Sequence, residues 1–392
     1  MILKGVFSTR VPDDRSPTRF ARALAAARGA RPLLDLTISN PTRAGISYPP
    51  NLLDALANPA SLTYRPEPLG LEDARQAVAE TYARRGLPIA WERIVLTAST
   101  SEAYSLLFKL LCDPGSSSVL TPVPSYPLFD HLARLDGVEQ RRYPLEYHGA
   151  WTIDVASMDR AWTAGTRAVL AVSPNNPTGS VLHPEDADAL ASRCAARGAA
   201  LIVDEVFQDY PLHGPLPEVP ALREPRCLVA RLGGLSKTAG LPQVKLGWMA
   251  FDGPADLVAQ ALDRIELIAD TYLSVSTPVQ VAARSLLASS APIRDAILAR
   301  IRANDAALRR MAASSSVDVL PADGGWSLVL RVPATTSEEE LVLDLLERDG
   351  VVTHPGYFFD FPHEAFLVVS LLPEPDVFAR GVERIMERVH AA

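Results

Sequence analysis

Three apolar stretches in the middle of the chain each lead to a polar or charged side chain. Residues 168–172 are followed by Asn176, residues 199–203 by Asp204, and the stretch 227–230 leads to Lys237. Short apolar runs of this kind are typical of strands that are buried on both faces of a parallel sheet. Ligands of such sheets bind at the carboxyl ends of the strands. The pattern therefore predicts an α/β fold with a ligand site near these three residues.

Lys237 follows a segment of small and loop-forming residues at the predicted exit of its strand. A lysine that loses its hydration there has a lowered pKa, and its neutral amine is a nucleophile toward aldehydes. A lysine taken alone is more often a solvated surface charge. Asn176 and Asp204 upstream favour the functional interpretation, because a carboxylate at the end of an apolar strand is rarely present without a partner.

The order of these three residues resembles that of the fold-type I pyridoxal-phosphate (PLP) enzymes. Asn176 lies in the motif Ser-Pro-Asn-Asn-Pro-Thr-Gly, Asp204 in Leu-Ile-Val-Asp-Glu and Lys237 in Leu-Ser-Lys-Thr. The resemblance is to the class I/II aminotransferase family in particular, and it covers nearly the whole chain.

The resemblance implies a fold-type I α/β architecture with a mostly parallel seven-stranded sheet and a smaller α+β domain. We expect residues 1–46 to form an N-terminal segment that belongs to the small domain. Residues 47–276 are expected to form the large PLP-binding domain, and residues 277–392 the small C-terminal domain. The site is expected between the two domains and at a dimer interface.

The resemblance also implies how the cofactor is held. Lys237 would bind PLP as a Schiff base and shuttle a proton during the reaction. Asp204 would pair with the protonated pyridine nitrogen, which keeps the ring able to accept electrons. Asn176 would donate to the phenolate oxygen, and Tyr126 would stack on the pyridine ring.

The phosphate group of the cofactor is expected where residues 93–97, a predicted strand, lead into a helix. Free backbone amides and the helix dipole favour an anion at such a turn. Ser and Thr are also ordinary helix caps, so no single one of them is decisive. The residues expected around the phosphate are Ser99, Thr100, Ser101, Ser236 and Lys245. In the family, a tyrosine at the position of Tyr64 reaches the phosphate of the neighbouring subunit, which predicts a homodimer.

The chain departs from the family pattern at four positions. Ser99 stands where a glycine is usual, and Lys245, just inside a strand predicted over residues 244–251, stands where an arginine is usual. Phe207 replaces a tyrosine that bonds the phenolate oxygen, and Tyr210 is the nearest tyrosine in sequence. Val368 stands at the position of the arginine that clamps the substrate α-carboxylate.

The substrate side of the site is predicted from the same resemblance. Asn40 and Arg43 belong to a segment that the family places at the active-site entrance, and Arg43 is the candidate to bind the α-carboxylate in place of the missing arginine. A solvated loop arginine is an equally common interpretation. Trp326 and Tyr357 would shape the side-chain pocket, and His354 is expected to be structural.

The predicted function is PLP-dependent transfer of an amino group between a small-molecule amino donor and a 2-oxo acid acceptor. A PLP-dependent lyase or decarboxylase is an alternative on the same fold. A substrate without a conventional α-carboxylate is a further alternative, and it would explain Val368. A PLP-sensing regulator is disfavoured because the chain shows no basic extra domain.

Charge and composition exclude several other classes. The net charge of −8 without a basic stripe argues against a nucleic-acid partner. Three cysteines without metal-like spacing suit a reducing cytoplasm, and no metal site is expected. No apolar run approaches the roughly 18 residues of a membrane span, and residues 1–15 are too polar for a signal peptide.

Overall fold

Apolar runs and amphipathic segments form alternating strands and helices in residues 6–217 and 219–391, the part of the chain that the computed structural model describes. The strands are β1 Leu34–Asp35, β2 Ile94–Thr97, β3 Ser118–Val123, β4 Glu139–Tyr147, β5 Trp151–Ile153, β6 Thr166–Val172, β7 Ala200–Asp204, β8 Val229–Gly234, β9 Gly247–Asp252, β10 Asp318–Val319, β11 Ser327–Arg331, β12 Val351–Val352, β13 His354–Pro355 and β14 Phe366–Ser370. The helices are α1 Arg19–Ala30, α2 Glu72–Arg84, α3 Thr100–Leu111, α4 Phe129–Leu135, α5 Val155–Ala161, α6 Pro184–Arg197, α7 Leu235–Thr238, α8 Ala255–Tyr272, α9 Thr277–Ala288, α10 Ala291–Ala312, α11 Glu338–Asp344 and α12 Pro375–Ala391.

The large sheet has the strand order β2-β9-β8-β7-β6-β3-β4-β5. Strands β3, β4, β6, β7 and β8 run parallel to one another, whereas β9 is antiparallel to both of its neighbours. The expected mostly parallel α/β sheet is confirmed. Beyond the seven expected strands, the short strand β5 turns back on β4 and adds an antiparallel edge.

Helices cover both faces of this sheet, which explains why its central strands are apolar throughout. On one face, Ile202 of β7 packs with Leu107 of α3 and Ile265 of α8. On the other face, Leu201 of β7 packs with Leu190 of α6. Full burial of a leucine or isoleucine stabilises the fold by roughly 1.5–3 kcal/mol, so both layers hold the sheet in place.

A smaller antiparallel sheet has the order β10-β11-β14-β13. One face of it packs on α10 and α12 through Leu328, Leu367, Ile301 and Phe378. Separately, β1 pairs in parallel with β12, which joins the N-terminal segment to the C-terminal part of the chain. The division at residues 46 and 276 stays a prediction, and residues 1–5 of the first segment lie outside the described residues.

The register of the central strands determines where the site lies. Val172 at the end of β6 is paired with Asp204 at the end of β7, and Asp204 is paired with Leu232 of β8. Parallel strands in this register end at one edge of the sheet. The polar residues that follow them are therefore brought to the same edge.

Candidate active site

Lys237 lies on α7, the single helical turn that follows β8. Its Nζ is 4.6 Å from the centre of the Trp326 ring and 5.4 Å from that of the Phe207 ring. Burial lowers the pKa of Lys237 to about 8, and the negative charge of Asp204 opposes part of that shift. A lysine with this pKa supplies much more neutral amine at neutral pH than a solvated lysine does.

Asp204 is buried at the end of β7, with only 7% of its surface exposed. Its carboxylate accepts a hydrogen bond from the Tyr104 hydroxyl at 2.9 Å and one from the Val206 amide at 3.1 Å. Burial raises the pKa of Asp204 to about 6 in spite of these two hydrogen bonds. A carboxylate in this environment is stabilised by a cationic partner, such as a protonated ring nitrogen.

Tyr104 is a residue of the site that the sequence did not reveal. It lies on the buried face of α3, where it packs edge-to-face on Phe129 at 5.3 Å. A tyrosine among apolar helix positions is ordinarily a core residue. Its contact with Asp204 arises only because α3 packs on the sheet beside β7, which is a tertiary feature.

We expect the substitution Tyr104→Phe to shift the acid limb of the pH–activity profile to higher pH by about one unit. The hydroxyl stabilises the charged form of Asp204, so its loss raises the pKa of that carboxyl. Profiles of kcat/KM against pH for wild type, Tyr104→Phe and the control Tyr82→Phe measure this. Tyr82 is also buried, but its hydroxyl contacts Trp248. An unshifted limb in Tyr104→Phe would show that this hydrogen bond does not tune Asp204.

The two adjacent asparagines after β6 have different roles. Asn175 is buried and uses its amide on the Pro124 carbonyl and the Thr178 hydroxyl, while its oxygen accepts from Ser125. Asn176 is half-buried, and its side chain has no partner among the described residues. The structure therefore assigns the loop-holding role to Asn175 and leaves the Asn176 amide available for a ligand.

The turn between β2 and α3 has the features of an anion site. Ser99 caps α3 through the Glu102 amide and has an extended backbone, so a serine fits where the family usually has glycine. The amides of Thr100 and Ser101 belong to the first helical turn and have no acceptor in the described chain. A Cβ on Gly247 would lie 2.8 Å from the Ser99 carbonyl carbon, so only glycine lets β9 approach this turn.

Two further predicted phosphate ligands lie on the segment from α7 to β9. Ser236 is half-buried, and its hydroxyl is without a partner in the part of the chain described. Lys245 is exposed and has no ion-pair partner there either. It adopts a φ of 63°, which is uncommon for residues other than glycine and is often found at functional sites.

Tyr210 does not replace the tyrosine that is missing at Phe207. It is fully buried, and its hydroxyl donates to the backbone carbonyl of Lys237 at 2.6 Å. Phe207 packs edge-to-face on Trp326 and has no group that could donate a hydrogen bond. Tyr210 therefore holds the turn that carries Lys237 instead of facing a ligand.

The aromatic residues Tyr126 and Tyr64 lie in different surroundings. Tyr126 is 37% exposed and packs edge-to-face on Phe129. Burial, together with the charge of Asp204, raises the pKa of Tyr126. Tyr64 is 69% exposed, and its hydroxyl has no partner within the described chain.

The position of the expected carboxylate-binding arginine is filled by an apolar cluster. Val368 is only 2% exposed and packs with Val329, Trp151, Phe359 and Phe361. Trp151 belongs to the large sheet, so this face of the small sheet is turned toward the large one. Val368 itself has no group that could pair with a carboxylate, so the cation that the family has at this position is missing.

The remaining predicted substrate residues lie near the end of β14 and on the loop before it. Asn40 caps the 3₁₀ turn Pro41–Arg43 by accepting from Thr42, and Arg43 is exposed without an ion-pair partner among the residues described. The Ile38 carbonyl accepts from Ser370, two residues beyond Val368, so this segment passes the end of β14. Trp326 is buried beside Lys237, and Tyr357 is 41% exposed.

Comparison with known proteins identifies the family. The family described as aminotransferase class I and II matches residues 32–385. The chain belongs to this family. It is 25% identical to the glutamate-pyruvate aminotransferase of Haemophilus influenzae over 382 residues, which cover 95% of this chain and 94% of that protein. It is 27% identical to the alanine aminotransferase of Mycobacterium tuberculosis over 386 residues, covering 95% and 88% of the two chains.

Solved structures confirm the fold of this aminotransferase. An alanine aminotransferase from Pyrococcus furiosus aligns with a TM-score of 0.88 at 22% identity, over 98% of this chain and all of that one. An aminotransferase from Escherichia coli aligns with a TM-score of 0.85 at 21% identity, over 98% of both chains. The expected fold-type I architecture and the aminotransferase class are confirmed.

Enzymes of this family depend on PLP, and the residues present fit that cofactor. The unpaired amides of Thr100 and Ser101, the close approach allowed by Gly247 and the unpaired Lys245 suit its phosphate. The buried Asp204 suits its ring nitrogen. The fit is incomplete at Phe207, which has no donor for the phenolate oxygen.

Other kinds of site are not found in the described residues. They contain no group of three His, Cys, Asp or Glu side chains that could hold a metal ion, and the three cysteines are free and buried. None of their helices is long and apolar enough to cross a lipid bilayer.

Proposed function

We propose that this aminotransferase carries PLP on Lys237 and moves an amino group between an amino donor and a 2-oxo acid. The observation that supports the assignment is the half-buried Lys237, whose amine lies beside the Trp326 and Phe207 rings and has a pKa lowered to about 8 by desolvation. Such an amine is able to react with an aldehyde and to accept a proton at neutral pH.

In the proposed mechanism, Lys237 moves the proton. When bound, PLP supplies an electron sink for the charge that develops at the substrate Cα. The Nζ of Lys237 would accept the proton from the substrate Cα and return it to the carbon on the other side of the substrate nitrogen. Trp326 and Phe207 surround this nitrogen with apolar surface, which keeps its pKa low enough for both steps.

The other residues orient the cofactor. Asp204, supported by Tyr104, would hold a positive charge on the ring nitrogen through a buried ion pair. Asn176 would donate to the phenolate oxygen, and Tyr126 would lie against the ring face. Because Phe207 cannot donate, Asn176 would act there without the second donor that is usual in the family.

The phosphate end of the proposed site is completed by a second subunit. Ser99, Thr100, Ser101, Ser236 and Lys245 would bind the phosphate from within one chain. The exposed Tyr64 is far more accessible than a tyrosine of a finished site would be. We propose that it reaches the phosphate of the neighbouring subunit, which makes the active enzyme a homodimer.

A half-reaction with a single amino donor tests the proposed function. L-alanine or L-glutamate mixed with the PLP-loaded enzyme, without an acceptor, is expected to give one equivalent of 2-oxo acid per chain and then stop. The reaction stops because the amino group stays on the enzyme until an acceptor removes it. Continued turnover without an acceptor, with release of carbon dioxide, would instead indicate a decarboxylase. Lys237→Ala is the negative control.

Arg43 is the proposed partner of the substrate α-carboxylate. A carboxylate buried without a cation is costly, and Val368 supplies none at the position of the family arginine. The unpaired Arg43 at the end of the segment beside β14 is able to form a bidentate pair with a carboxylate.

The substitution Arg43→Ala is therefore expected to raise the KM for α-amino acids by about tenfold or more, because a charge-assisted hydrogen bond contributes roughly 1.5–3 kcal/mol. Arg310→Ala, which removes another exposed arginine on α10, is expected to leave the KM unchanged. Steady-state kinetics with amino acids and with the corresponding decarboxylated amines measure both variants. An unchanged KM for every accepted amino acid would remove Arg43 from the site.

The apolar cluster favours a second candidate. If decarboxylated amines react and α-amino acids do not, the enzyme is an aminotransferase for substrates without a conventional α-carboxylate. Such a substrate would need no cation at the position of Val368.

A further inference from the structure

A cavity lies beside the segment that follows β7. Its volume is about 320 Å³, and neither Lys237 nor Asp204 lines it. Polar and apolar side chains both line it, and the polar ones lie just after α2, on β8 and on the segment that follows β7. The polar residues used below are Arg85, Glu205, Gln208 and Arg231.

Two arginines of this lining bind the same carboxylate. Glu205 is 7% exposed and accepts from Arg231 at 2.5 Å and from Arg85 at 2.9 Å. Burial alone would raise the pKa of Glu205, but the two arginines hold it below its ordinary value. Two guanidinium groups thus share one carboxylate, and of the two only Arg231 is buried, since the Arg85 side chain is 26% exposed and also lies in the field of Asp209.

Several donors in the cavity lining are also unused. Arg231 is 3% exposed, and its Nε has no acceptor among the described residues. The side-chain amide of Gln208 likewise has no partner there. Arg223 also lines the cavity, but it has partners of its own. Guanidinium and amide donors together bind the oxygens of carboxylate and phosphate groups.

The wall of this cavity is shared with the active site. The segment from Asp204 to Pro211 forms two consecutive tight turns, in which the Gln208 amide donates to the Glu205 carbonyl and the Tyr210 amide to the Phe207 carbonyl. Because the turns repeat every three residues, side chains three positions apart lie on the same side of the segment. Asp204, Phe207 and Tyr210 contact the active-site side, whereas Glu205, Gln208 and Pro211 line the cavity.

We propose that this cavity is a binding site for a small oxyanion, of the phosphate or carboxylate class. The anion would accept from the Arg231 Nε and the Gln208 amide and would lie beside the guanidinium group of Arg85. It would also hold the 205–211 segment, which is the back wall of the active site. The site requires no aminotransferase chemistry and is separate from the PLP phosphate turn on α3.

Calorimetric titration of the PLP-loaded enzyme tests the site. In that form the cofactor occupies the turn before α3, so added phosphate cannot bind there. Inorganic phosphate and malonate are titrated separately at constant ionic strength set with chloride. Saturable binding of one anion per chain is expected for at least one of them, and the tighter one identifies the ligand class. No saturable binding of either anion would overturn the proposal.

Three variants locate the anion. Arg85→Gln removes one cation of the cavity, and Gln208→Glu adds a negative charge without touching the ion pairs. Each is expected to weaken binding at least tenfold. Arg84→Gln removes the neighbouring exposed arginine of α2 and is expected to bind as wild type does. Equal binding by wild type and Gln208→Glu would contradict the proposed location, even if Arg85→Gln did not fold.

Hydrogen exchange gives a second readout in the wild-type enzyme. The bound anion is expected to slow amide exchange in residues 205–211, since it bridges their side chains to α2 and β8. Protection confined to other segments would place the anion elsewhere and refute the assignment.

Discussion

Replacing Lys237 with alanine is expected to lower turnover by about a thousandfold or more. The substitution removes both the covalent attachment point and the group that transfers the proton, and proton transfer alone contributes roughly 10²–10⁴-fold. Lys109→Ala is the matched control, because Lys109 is an exposed lysine of α3 that pairs with Asp136. Initial rates with a saturating donor and acceptor measure both variants.

The Lys237→Ala variant is expected to keep its fold. The Lys237 side chain makes ring contacts but no hydrogen bond in the described structure, and Tyr210 bonds only its backbone carbonyl. The thermal unfolding temperature should therefore change little. Turnover within tenfold of wild type in a folded Lys237→Ala protein would reject the assigned role.

Replacing Asp204 with alanine is expected to lower kcat by a few hundred- to a few thousand-fold while PLP is still retained. Loss of one partner from a buried ion pair costs about 3–5 kcal/mol, and here the missing charge is needed at the ring nitrogen during the reaction. The proposed phosphate-binding residues belong to other elements, the turn before α3 and the segment from α7 to β9, and would still hold the cofactor. Measurement of kcat together with bound PLP by absorbance distinguishes these effects. Near wild-type kcat in the PLP-saturated variant would contradict the prediction.

The same carboxylate predicts how the stability of the cofactor-free protein depends on pH. The pKa of Asp204 is about 6 in the folded state, against an ordinary value of 3.8. The folded state therefore binds the proton more tightly, and stability decreases as the pH rises from about 4 to about 6. The loss from this group is at most about 3 kcal/mol. Denaturant unfolding of cofactor-free wild type and Asp204→Asn at pH 4 and pH 7 measures it, and equal pH dependence would exclude Asp204 as its source.

The central strands could be predicted closely from the sequence because burial on both faces leaves a clear signal. The apolar runs 168–172 and 199–203 correspond to β6 and β7 within two residues at either end. The strand predicted over residues 244–251 is instead observed as Gly247–Asp252. Lys245 has a left-handed φ, which is incompatible with an extended strand. A lysine rarely adopts this conformation, so the sequence did not predict it.

The candidate site was less predictable where it depends on contacts between distant elements. Asn175 and Asn176 are identical in type, and only their packing shows which one is free. Tyr104 donates a hydrogen bond to Asp204, which is 100 positions away in the sequence. Tyr210 is fully buried and donates to the backbone carbonyl of Lys237. The roles proposed for the cofactor- and substrate-binding residues stay predictions until they are tested by substitution.

Mapping of the cofactor-bearing lysine tests the central claim most directly. The chain has four lysines, Lys4, Lys109, Lys237 and Lys245, so the assignment has few alternatives. Borohydride reduction of the PLP-loaded enzyme, followed by peptide mass analysis, is expected to place the pyridoxyl label on Lys237 alone. A label on Lys245 or another lysine, with Lys237 unmodified, would contradict the account.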